Sequence, residues 1–473
     1  MIRLIISLFL LGALAGCAHE LPNPRTMSFP ELRYEIPKAE RVQLQCGMPV
    51  YLLRDPELPI ISISAMVRAG SVYEPAEKSG LASMTGTVMR SGGAGGMTPE
   101  QMDDELEFMA SAVESGIGGD MGSVSMTTLT KNFKRTLAIF GDVLLRPDFS
   151  EKRLEIARRH MIEGLRRQND DPKEIAGREL TRAIYAGHPL GVVSTFASAR
   201  AITRQDLIDF HRRFYRSDNM ILAVSGDFNR DELLRELNAL FGPTPAAPPT
   251  SLPQIGQPEL RFVPEVLHAA KDVNQSVIRM GHLGITKDAP ELYALRIMDY
   301  ILGGSFTSRL TMEIRTNQGL AYSVDSHFDV GRRFLGSFVA STETKAESTA
   351  KAITLMREII TGMTKAEVSE QELKAAKEYI VNSFMFGFTS PSSVVTQRAR
   401  LEFYGYAPDY LEKYRENIAR VTRKDVLAAA QKYLHPDAFK LVVVGNAAKF
   451  DQPLATFGAV KELKLEQAND NGR

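Results

Sequence analysis

The sequence predicts an α+β fold of two homologous domains, each a mainly antiparallel sheet with helices packed on one side. Three observations lead to this prediction: a repeated helix–strand unit, a proline-rich segment between its two copies, and a grouping of helices and strands that does not alternate regularly. At 473 residues the chain is also too long for one ordinary hydrophobic core, so two large domains are expected.

The repeat is the most direct of these observations. Segments 202–227 and 421–446 align without a gap and share seven identical positions. Each begins with a threonine and an aspartate three residues later, the pattern of a capped helix N-terminus. Each continues through a helical stretch and a turn into an apolar strand that ends at glycine. Duplication explains these identities better than two unrelated helix–strand units do. The identical pairs are Thr203 and Thr422, Arg204 and Arg423, Asp206 and Asp425, Asp218 and Asp437, Leu222 and Leu441, Val224 and Val443, and Gly226 and Gly445.

A proline-rich segment separates the two copies. Residues 242–259 read GPTPAAPPTSLPQIGQPE, and this composition favours a semi-rigid linker. We therefore place an N-terminal domain at 36–241, a C-terminal domain at 260–460 and a tail at 461–473.

Other segments indicate sheets flanked by helices. Residues 60–67 (IISISAMV) alternate apolar side chains toward one face, as a half-buried strand does. A capped helix begins near residue 290, and Gly303 and Gly304 end it. Because helices and strands are grouped, the sheets are expected to be mainly antiparallel.

Composition excludes some classes of function. Lys+Arg and Asp+Glu are both 57, so the chain lacks the basic excess of a general nucleic-acid-binding protein. The two cysteines are Cys17 and Cys46. Cys46 is expected to be a small buried apolar side chain.

The N-terminus has the pattern of an export signal. After Arg3 comes an apolar run of eleven residues, 4–14, which is too short to span a bilayer but suits a secretory signal. The run ends in Leu-Ala-Gly-Cys, which resembles a bacterial lipobox with Cys17 as the lipidated residue. We predict a signal peptide at 1–16, a tether at 17–35 and a periplasmic protein anchored by lipid, with Ala18 favouring the outer membrane. The alternative is a buried apolar N-terminus with a chance cysteine.

Residues 80–89 of the first half read GLASMTGTVM. They resemble the turn and helix on which insulinase/pitrilysin metallopeptidases carry HxxEH, two zinc-binding histidines and a glutamate base. The matching positions here are Ser83, Gly86 and Thr87, and the family's third ligand falls at Gly164, next to Glu163. Hydroxyl groups are poor zinc ligands, and glycine accepts no proton. The resemblance therefore implies a degenerate metal site and no metal in this chain.

The second half keeps a different motif of the same family. Residues 302–310 read LGGSFTSRL and 313–324 read EIRTNQGLAYSV, which resembles the signature GGxxxSRL…R…GLAYSV. In the family the matching arginine and tyrosine, here Arg315 and Tyr322, donate hydrogen bonds to the substrate carbonyl or oxyanion. Gly303 and Gly304 are expected to end the helix and to permit close approach of another backbone or of substrate.

The resemblance implies a function for the whole chain. It fits best the processing-peptidase subfamily, in which two chains close like a clamshell and one of them carries HxxEH. We predict a non-catalytic, substrate-binding and oxyanion-stabilising subunit of a heterodimeric zinc peptidase, inactive alone and acting on peptides or unfolded segments. Zinc is expected in the HxxEH-bearing partner. The alternatives are a peptide-binding or structural scaffold without proteolysis, and a self-sufficient peptidase with an unusual metal site.

Overall fold

A computed structural model describes Met27 and residues 35–242 and 252–465. The predicted signal peptide, Cys17, most of the predicted tether, residues 243–251 of the predicted linker and residues 466–473 of the tail lie outside the described residues. From Ile36 onward the chain forms one compact unit, which is built on two six-stranded sheets.

The N-terminal half forms the first sheet. Its strands are β1 (Glu40–Gln43), β2 (Pro49–Arg54), β3 (Ile60–Val67), β4 (Ala112–Ile117), β5 (Gly122–Leu129) and β6 (Met220–Gly226). Their order across the sheet is β1-β2-β6-β3-β5-β4. All neighbours pair antiparallel except β2 and β6, which run parallel.

The C-terminal half forms the second sheet and a small two-stranded one. Its strands are β7 (Glu265–Ala270), β8 (Gln275–Leu283), β9 (Ile285–Thr286), β10 (Ala321–Phe328), β11 (Val330–Gly331), β12 (Ser337–Lys345), β13 (Lys440–Gly445) and β14 (Val460–Glu462). The large sheet has the order β10-β12-β8-β13-β7-β14. Strand β7 runs parallel to both of its neighbours, β13 and β14. All other pairs of neighbouring strands in this sheet are antiparallel.

Both halves contain helices between and after their strands in sequence. The N-terminal half contains α1 (Leu81–Ser91), α2 (Pro99–Phe108), α3 (Phe133–Leu145), α4 (Glu151–Arg167), α5 (Pro172–Ile184), α6 (Phe196–Ala201), α7 (Arg204–Phe214) and α8 (Arg230–Phe241). The C-terminal half contains α9 (Leu292–Leu302), α10 (Thr349–Met363), α11 (Glu370–Ser383), α12 (Pro391–Phe403), α13 (Tyr410–Arg420) and α14 (Arg423–Tyr433), and a π-helix at Thr311–Asn317. Within the described part of the chain, no helix combines the length and the apolar character that a membrane span requires.

The predicted duplication is confirmed by topology and by local geometry. The repeated segments form α7 with β6 and α14 with β13. Each of these strands lies between a parallel and an antiparallel neighbour. Thr203 caps α7 and Thr422 caps α14, each accepting a hydrogen bond from the aspartate N–H three residues later. The two halves are thus copies of one α+β unit.

The central strands are buried on both faces, which explains their unbroken apolar sequences. In β6, Leu222 and Val224 face the core that the sheet shares with its own helices. Ile221 and Ala223 face the opposite side of the same sheet. Strand β13 alternates in the same way between two cores.

Each half covers the second face of the other half's sheet with one helix. Helix α5 places Ile175 and Leu180 against Val442 of the C-terminal sheet. Helix α12 returns the contact by placing Val395 and Phe403 against the N-terminal sheet. As predicted, each sheet is covered on one side by helices of its own half. The sequence did not indicate the second layer, which α5 and α12 form on the other side of each sheet. These two exchanged helices hold the two halves together.

Cys46 is buried, with 2% of its surface exposed, as the sequence predicted. It lies in the core of the N-terminal half.

Candidate functional site

Helix α1 carries the positions of the degenerate metal motif. It starts after Gly80, whose φ of 102° is left-handed and suits glycine. The Glu74 carboxylate accepts hydrogen bonds of 2.8 Å from the N–H groups of Gly80 and Ala82, so the helix N-terminus is well capped. Ser83 and Thr87 lie one turn apart on the exposed side of this helix. The helical face that the family uses is therefore present, with two hydroxyl groups on it.

Gly86 has no room for a side chain. A Cβ atom there would lie 2.5 Å from the backbone nitrogen of Ile117 and 2.8 Å from the carbonyl carbon of Gly116. The Ser115 hydroxyl also donates a 2.6 Å hydrogen bond to the Gly86 carbonyl. Strand β4 thus packs directly on α1 at the position that corresponds to the family's glutamate. A base cannot be restored at residue 86 unless the backbone of this strand moves.

The predicted third position is equally unsuited to a metal. Gly164 is exposed on α4, and no atom lies within 4 Å of an ideal Cβ there. Its neighbour Glu163 pairs with Arg167 at 2.9 Å and with Arg166 at 3.4 Å. A glutamate already engaged by two arginines is a poor candidate for a metal ligand.

The residues at this site do not fit zinc. Hydroxyl groups replace the imidazoles, and the backbone of β4 fills the space at the base position. Across residues 35–242 and 252–465, no three His, Cys, Asp or Glu side chains lie together as a metal site requires. That finding covers only the described residues, and the absence of zinc from this chain stays a prediction.

Arg315 and Tyr322 lie together in the C-terminal half. Arg315 is on the π-helix, a rare conformation that is frequent at functional sites. Gly319, at φ 61°, turns the chain into β10, where Tyr322 is the second residue. The Arg315 guanidinium carbon is 5.2 Å from the centre of the Tyr322 ring and 5.8 Å from that of Phe306. The seven-residue spacing thus places a cation beside a phenol.

Both aromatic neighbours of Arg315 face solvent. Tyr322 is 86% exposed and Phe306 is 82% exposed. Among the described carboxylates, none forms an ion pair with Arg315. An anion that binds the Arg315 guanidinium therefore does not have to displace a carboxylate of the described residues. The pair offers two hydrogen-bond donors to an approaching carbonyl or oxyanion.

The two glycines before this pair serve the packing of the backbone. A Cβ atom at Gly303 would lie 2.2 Å from the backbone nitrogen of Ser326, so β10 crosses directly over the end of α9. At Gly304 a Cβ atom would lie 3.1 Å from the Asp299 carbonyl oxygen. Small residues here let the strand that carries Tyr322 lie against the helix end.

Ser308 and Arg309 hold the same loop in place. The buried Ser308 hydroxyl donates a 2.9 Å hydrogen bond to Thr311 at the start of the π-helix. Arg309 donates two hydrogen bonds to Glu372, at 2.7 and 2.9 Å. These hydrogen bonds lower the pKa of Glu372 to about 2. Both side chains are engaged within the fold and are not directed at a ligand.

A groove of about 520 Å³ opens beside Arg315. Tyr300 from α9 and Tyr379 from α11 line it with Phe306, and the rings of Tyr300 and Tyr379 are 4.7 Å apart. Sequence reasoning missed these two tyrosines. Tyr379 is on α11, which only the tertiary fold brings next to the loop.

Asp325 is the carboxylate that lines this groove among the described residues. Burial would raise its pKa, but hydrogen bonds from His327 and Ser341 outweigh burial and lower the pKa below its usual range. A carboxylate of low pKa is a weak proton acceptor. The described groove therefore has donors for an oxyanion but lacks an effective base.

Two family models match the chain. Residues 50–194 match the one described as insulinase (peptidase family M16), and residues 201–380 match the one described as peptidase M16 inactive domain. Curated relatives carry different descriptions. The non-peptidase homolog YmxG of Helicobacter pylori is 22% identical over 414 residues, which are 86% of this chain and 93% of that protein. An uncharacterized zinc protease of Mycobacterium leprae is 24% identical over 412 residues, 84% of this chain and 89% of that protein.

Solved structures share the fold over most of the chain. The crystal structure of a peptidase M16 inactive domain from Pseudomonas fluorescens superposes with a TM-score of 0.78 at 26% identity, covering 86% of this chain and 98% of that one. The periplasmic protease PqqL from Escherichia coli gives a TM-score of 0.71 at 15% identity, covering 87% of this chain but 46% of that one.

Proposed function

Since this chain belongs to the insulinase (M16) peptidase family but has no HxxEH motif, we propose that it is the non-catalytic, substrate-binding subunit of a two-chain zinc peptidase. A single observation carries the proposal. The family's Arg–Tyr pair is intact and open to solvent, while the base position of the metal motif is closed by strand β4. A chain that retains the donors and lacks the base needs another chain for hydrolysis.

In this proposal Arg315 and Tyr322 act on the peptide carbonyl. The guanidinium and the phenol hydroxyl donate hydrogen bonds to the oxygen on which negative charge develops. Donors placed in advance at that oxygen lower the barrier because the protein does not reorganise during the reaction. The HxxEH-bearing partner holds the zinc that activates water.

The length comparison supports a second chain. This chain matches 46% of the periplasmic protease PqqL, so its fold corresponds to about half of that longer molecule. A separate partner of similar size would supply the other half of a closed chamber. The pattern at the N-terminus, with Cys17 at a lipobox-like site, supports a place at the cell envelope, where exported peptides and unfolded segments are the substrates.

The scaffold alternative rests on the Helicobacter relative named a non-peptidase homolog. It predicts peptide binding without any contribution to turnover. The two functions differ in what happens when Arg315 or Tyr322 is changed.

The first test uses this chain with its HxxEH-bearing sister. Arg315→Ala and Tyr322→Phe should each lower kcat for a reporter peptide by about 100-fold, the typical loss for one oxyanion donor. The complex should still assemble, because both side chains are on the surface. Assembly is measured by size-exclusion chromatography and turnover by fluorescence dequenching.

Arg212→Ala provides the matched control. Arg212 is on α7 in the N-terminal half, and its side chain is 76% exposed. This variant should turn over peptide like the unmodified complex. Full activity of both Arg315→Ala and Tyr322→Phe would refute the assigned roles.

A further inference from the structure

Three aromatic side chains from separate places in the chain surround the groove beside Arg315. Tyr300 is on α9, Phe306 is on the loop after it, and Tyr379 is on α11. Phe306 is 82% exposed and Tyr379 is 55% exposed. Exposing a large apolar surface to water is unfavourable. A cluster of exposed apolar side chains next to hydrogen-bond donors is therefore typical of a binding site.

The groove is continuous with the Arg–Tyr pair. Arg315 itself lines it, and the guanidinium carbon is 5.8 Å from the centre of the Phe306 ring. An extended peptide advances about 3.3 Å per residue. A carbonyl held by Arg315 and Tyr322 therefore has a neighbouring side chain within reach of the groove.

The charges in the groove select the chemistry of that side chain. Arg315 places a fixed positive charge at the groove, which disfavours lysine or arginine in the occupant. Asp325 is occupied by the Ser341 hydroxyl at 2.8 Å and lies 3.7 Å from the His327 ring nitrogen, so it offers little to a cation and disfavours a carboxylate. The remaining lining includes the rings of Tyr300, Phe306 and Tyr379, and 520 Å³ accommodates a phenylalanine or leucine side chain.

The loop geometry keeps the groove open. Gly303 and Gly304 both line it, and a Cβ atom at Gly303 would collide with β10. Neither glycine contributes a side chain to the groove between Tyr300 and Phe306.

We infer that this aromatic groove receives an aromatic or large aliphatic side chain of the bound peptide, next to the carbonyl held by Arg315 and Tyr322. The inference rests on the proposed function for the identity of the ligand as a peptide, and it adds a preference among peptides. Phe306 and Tyr379 are the specificity-determining residues.

The experiment measures peptide binding to this chain alone. Fluorescein-labelled eight-residue peptides differ at one central position, which is Phe, Leu, Ala, Lys or Asp, and affinity is measured by fluorescence anisotropy. Burying a side chain of this size strengthens binding by at least about tenfold, which corresponds to about 1.4 kcal/mol. The Phe and Leu peptides should therefore bind at least about tenfold more tightly than the Ala, Lys and Asp peptides.

Variants locate the preference. Phe306→Ala and Tyr379→Ala should bring the affinity for the Phe peptide down to that for the Ala peptide, while Tyr379→Phe keeps the ring and should keep the preference. Phe108→Ala is the matched control, because Phe108 is 91% exposed on α2 in the other half. Thermal melting checks that each variant is folded.

The outcomes separate this inference from the proposed function. Equal affinity of the native chain for the Phe and Ala peptides, or an undiminished preference in both Phe306→Ala and Tyr379→Ala, would overturn the inference even where Arg315→Ala abolishes turnover by the complex. A preference lost in these variants would support the groove even where no partner cleaves the peptide.

Discussion

The family resemblance assigns Gly86 and Gly164 to the two positions where a metal-binding relative carries a glutamate, and the surroundings of these glycines differ. Alanine at Gly86 would force the backbone of β4 to move, since its Cβ would lie 2.5 Å from the Ile117 nitrogen. Such crowding costs about 1–3 kcal/mol. Alanine at Gly164 meets no atom within 4 Å and should stabilise α4 by about 0.5–1 kcal/mol.

Urea unfolding of Gly86→Ala and Gly164→Ala measures both effects on one scale. We expect changes of opposite sign in the free energy of unfolding. A Gly86→Ala variant as stable as the native chain would contradict the closed base position and reopen the possibility of a side chain there.

Asp299 is half-buried, and its buried Oδ1 atom has no hydrogen-bond partner among the described residues. Burial raises its pKa to about 7, although a hydrogen bond from the Phe328 N–H opposes the shift. Between about pH 4 and 7 the folded state retains a proton that the unfolded state releases. This residue therefore lowers stability as pH rises across that range, by at most about 1.4 kcal/mol per pH unit.

Asp299→Asn removes this titration. The variant should gain stability relative to the native chain as pH rises from 4 to 7, with no further gain at higher pH. Thermal melts at pH 4, 5.5, 7 and 8.5 measure the difference, and a difference that does not change with pH would rule out the raised pKa.

Among the structural elements, the exchanged helices α5 and α12 couple the two halves. Phe403 on α12 is 3% exposed and packs on the N-terminal sheet. It also lies 5.2 Å below the Arg68 guanidinium and 5.1 Å from that of Arg333, measured to the ring centre. A residue of one half thus completes the core of the other.

Phe403→Ala should lower the free energy of unfolding by about 3–5 kcal/mol. Because α12 belongs to the C-terminal half and supports the N-terminal sheet, hydrogen exchange of β6 and of β13 should accelerate together. Phe386→Ala, at a position that is 69% exposed, should leave both unchanged. Acceleration confined to one sheet would show that the halves unfold independently.

The elements that sequence analysis predicted are those whose signals are local. The caps at Thr203 and Thr422, the apolar strands after them and the glycine turn at Gly303 are each set by neighbours within a few residues. The exchange of α5 and α12 depends on contacts between distant segments, so the hydrophobic periodicity of the sequence does not predict it. The π-helix is likewise a departure from regular helical spacing that binary patterning does not encode.

In the candidate site, too, sequence analysis predicted some features and missed those that depend on tertiary contacts. The family resemblance predicted that Arg315 and Tyr322 would act as a pair, and the fold places them 5.2 Å apart, measured from guanidinium carbon to ring centre. Tyr379 is separated from them by a helix and two strands in sequence, so its presence in the groove emerges only from tertiary structure. Sequence also showed that Gly86 lacks a base, but not that β4 closes its position.

At the scale of the whole molecule, the chain from Ile36 onward is one compact unit, with the Arg315–Tyr322 pair on its C-terminal half and no HxxEH motif on its N-terminal half. The exchanged helices fix the two halves relative to each other from within. In the proposed two-chain peptidase, opening and closing around a peptide would therefore take place between the two chains, and not between the two halves of this chain.

The most direct measurement compares peptide cleavage by this chain alone, by its HxxEH-bearing sister alone and by the mixture, each with and without a zinc chelator. Our account predicts no chelator-sensitive cleavage by this chain alone and strong chelator-sensitive cleavage by the mixture. Rapid, chelator-sensitive cleavage by the purified single chain would contradict it.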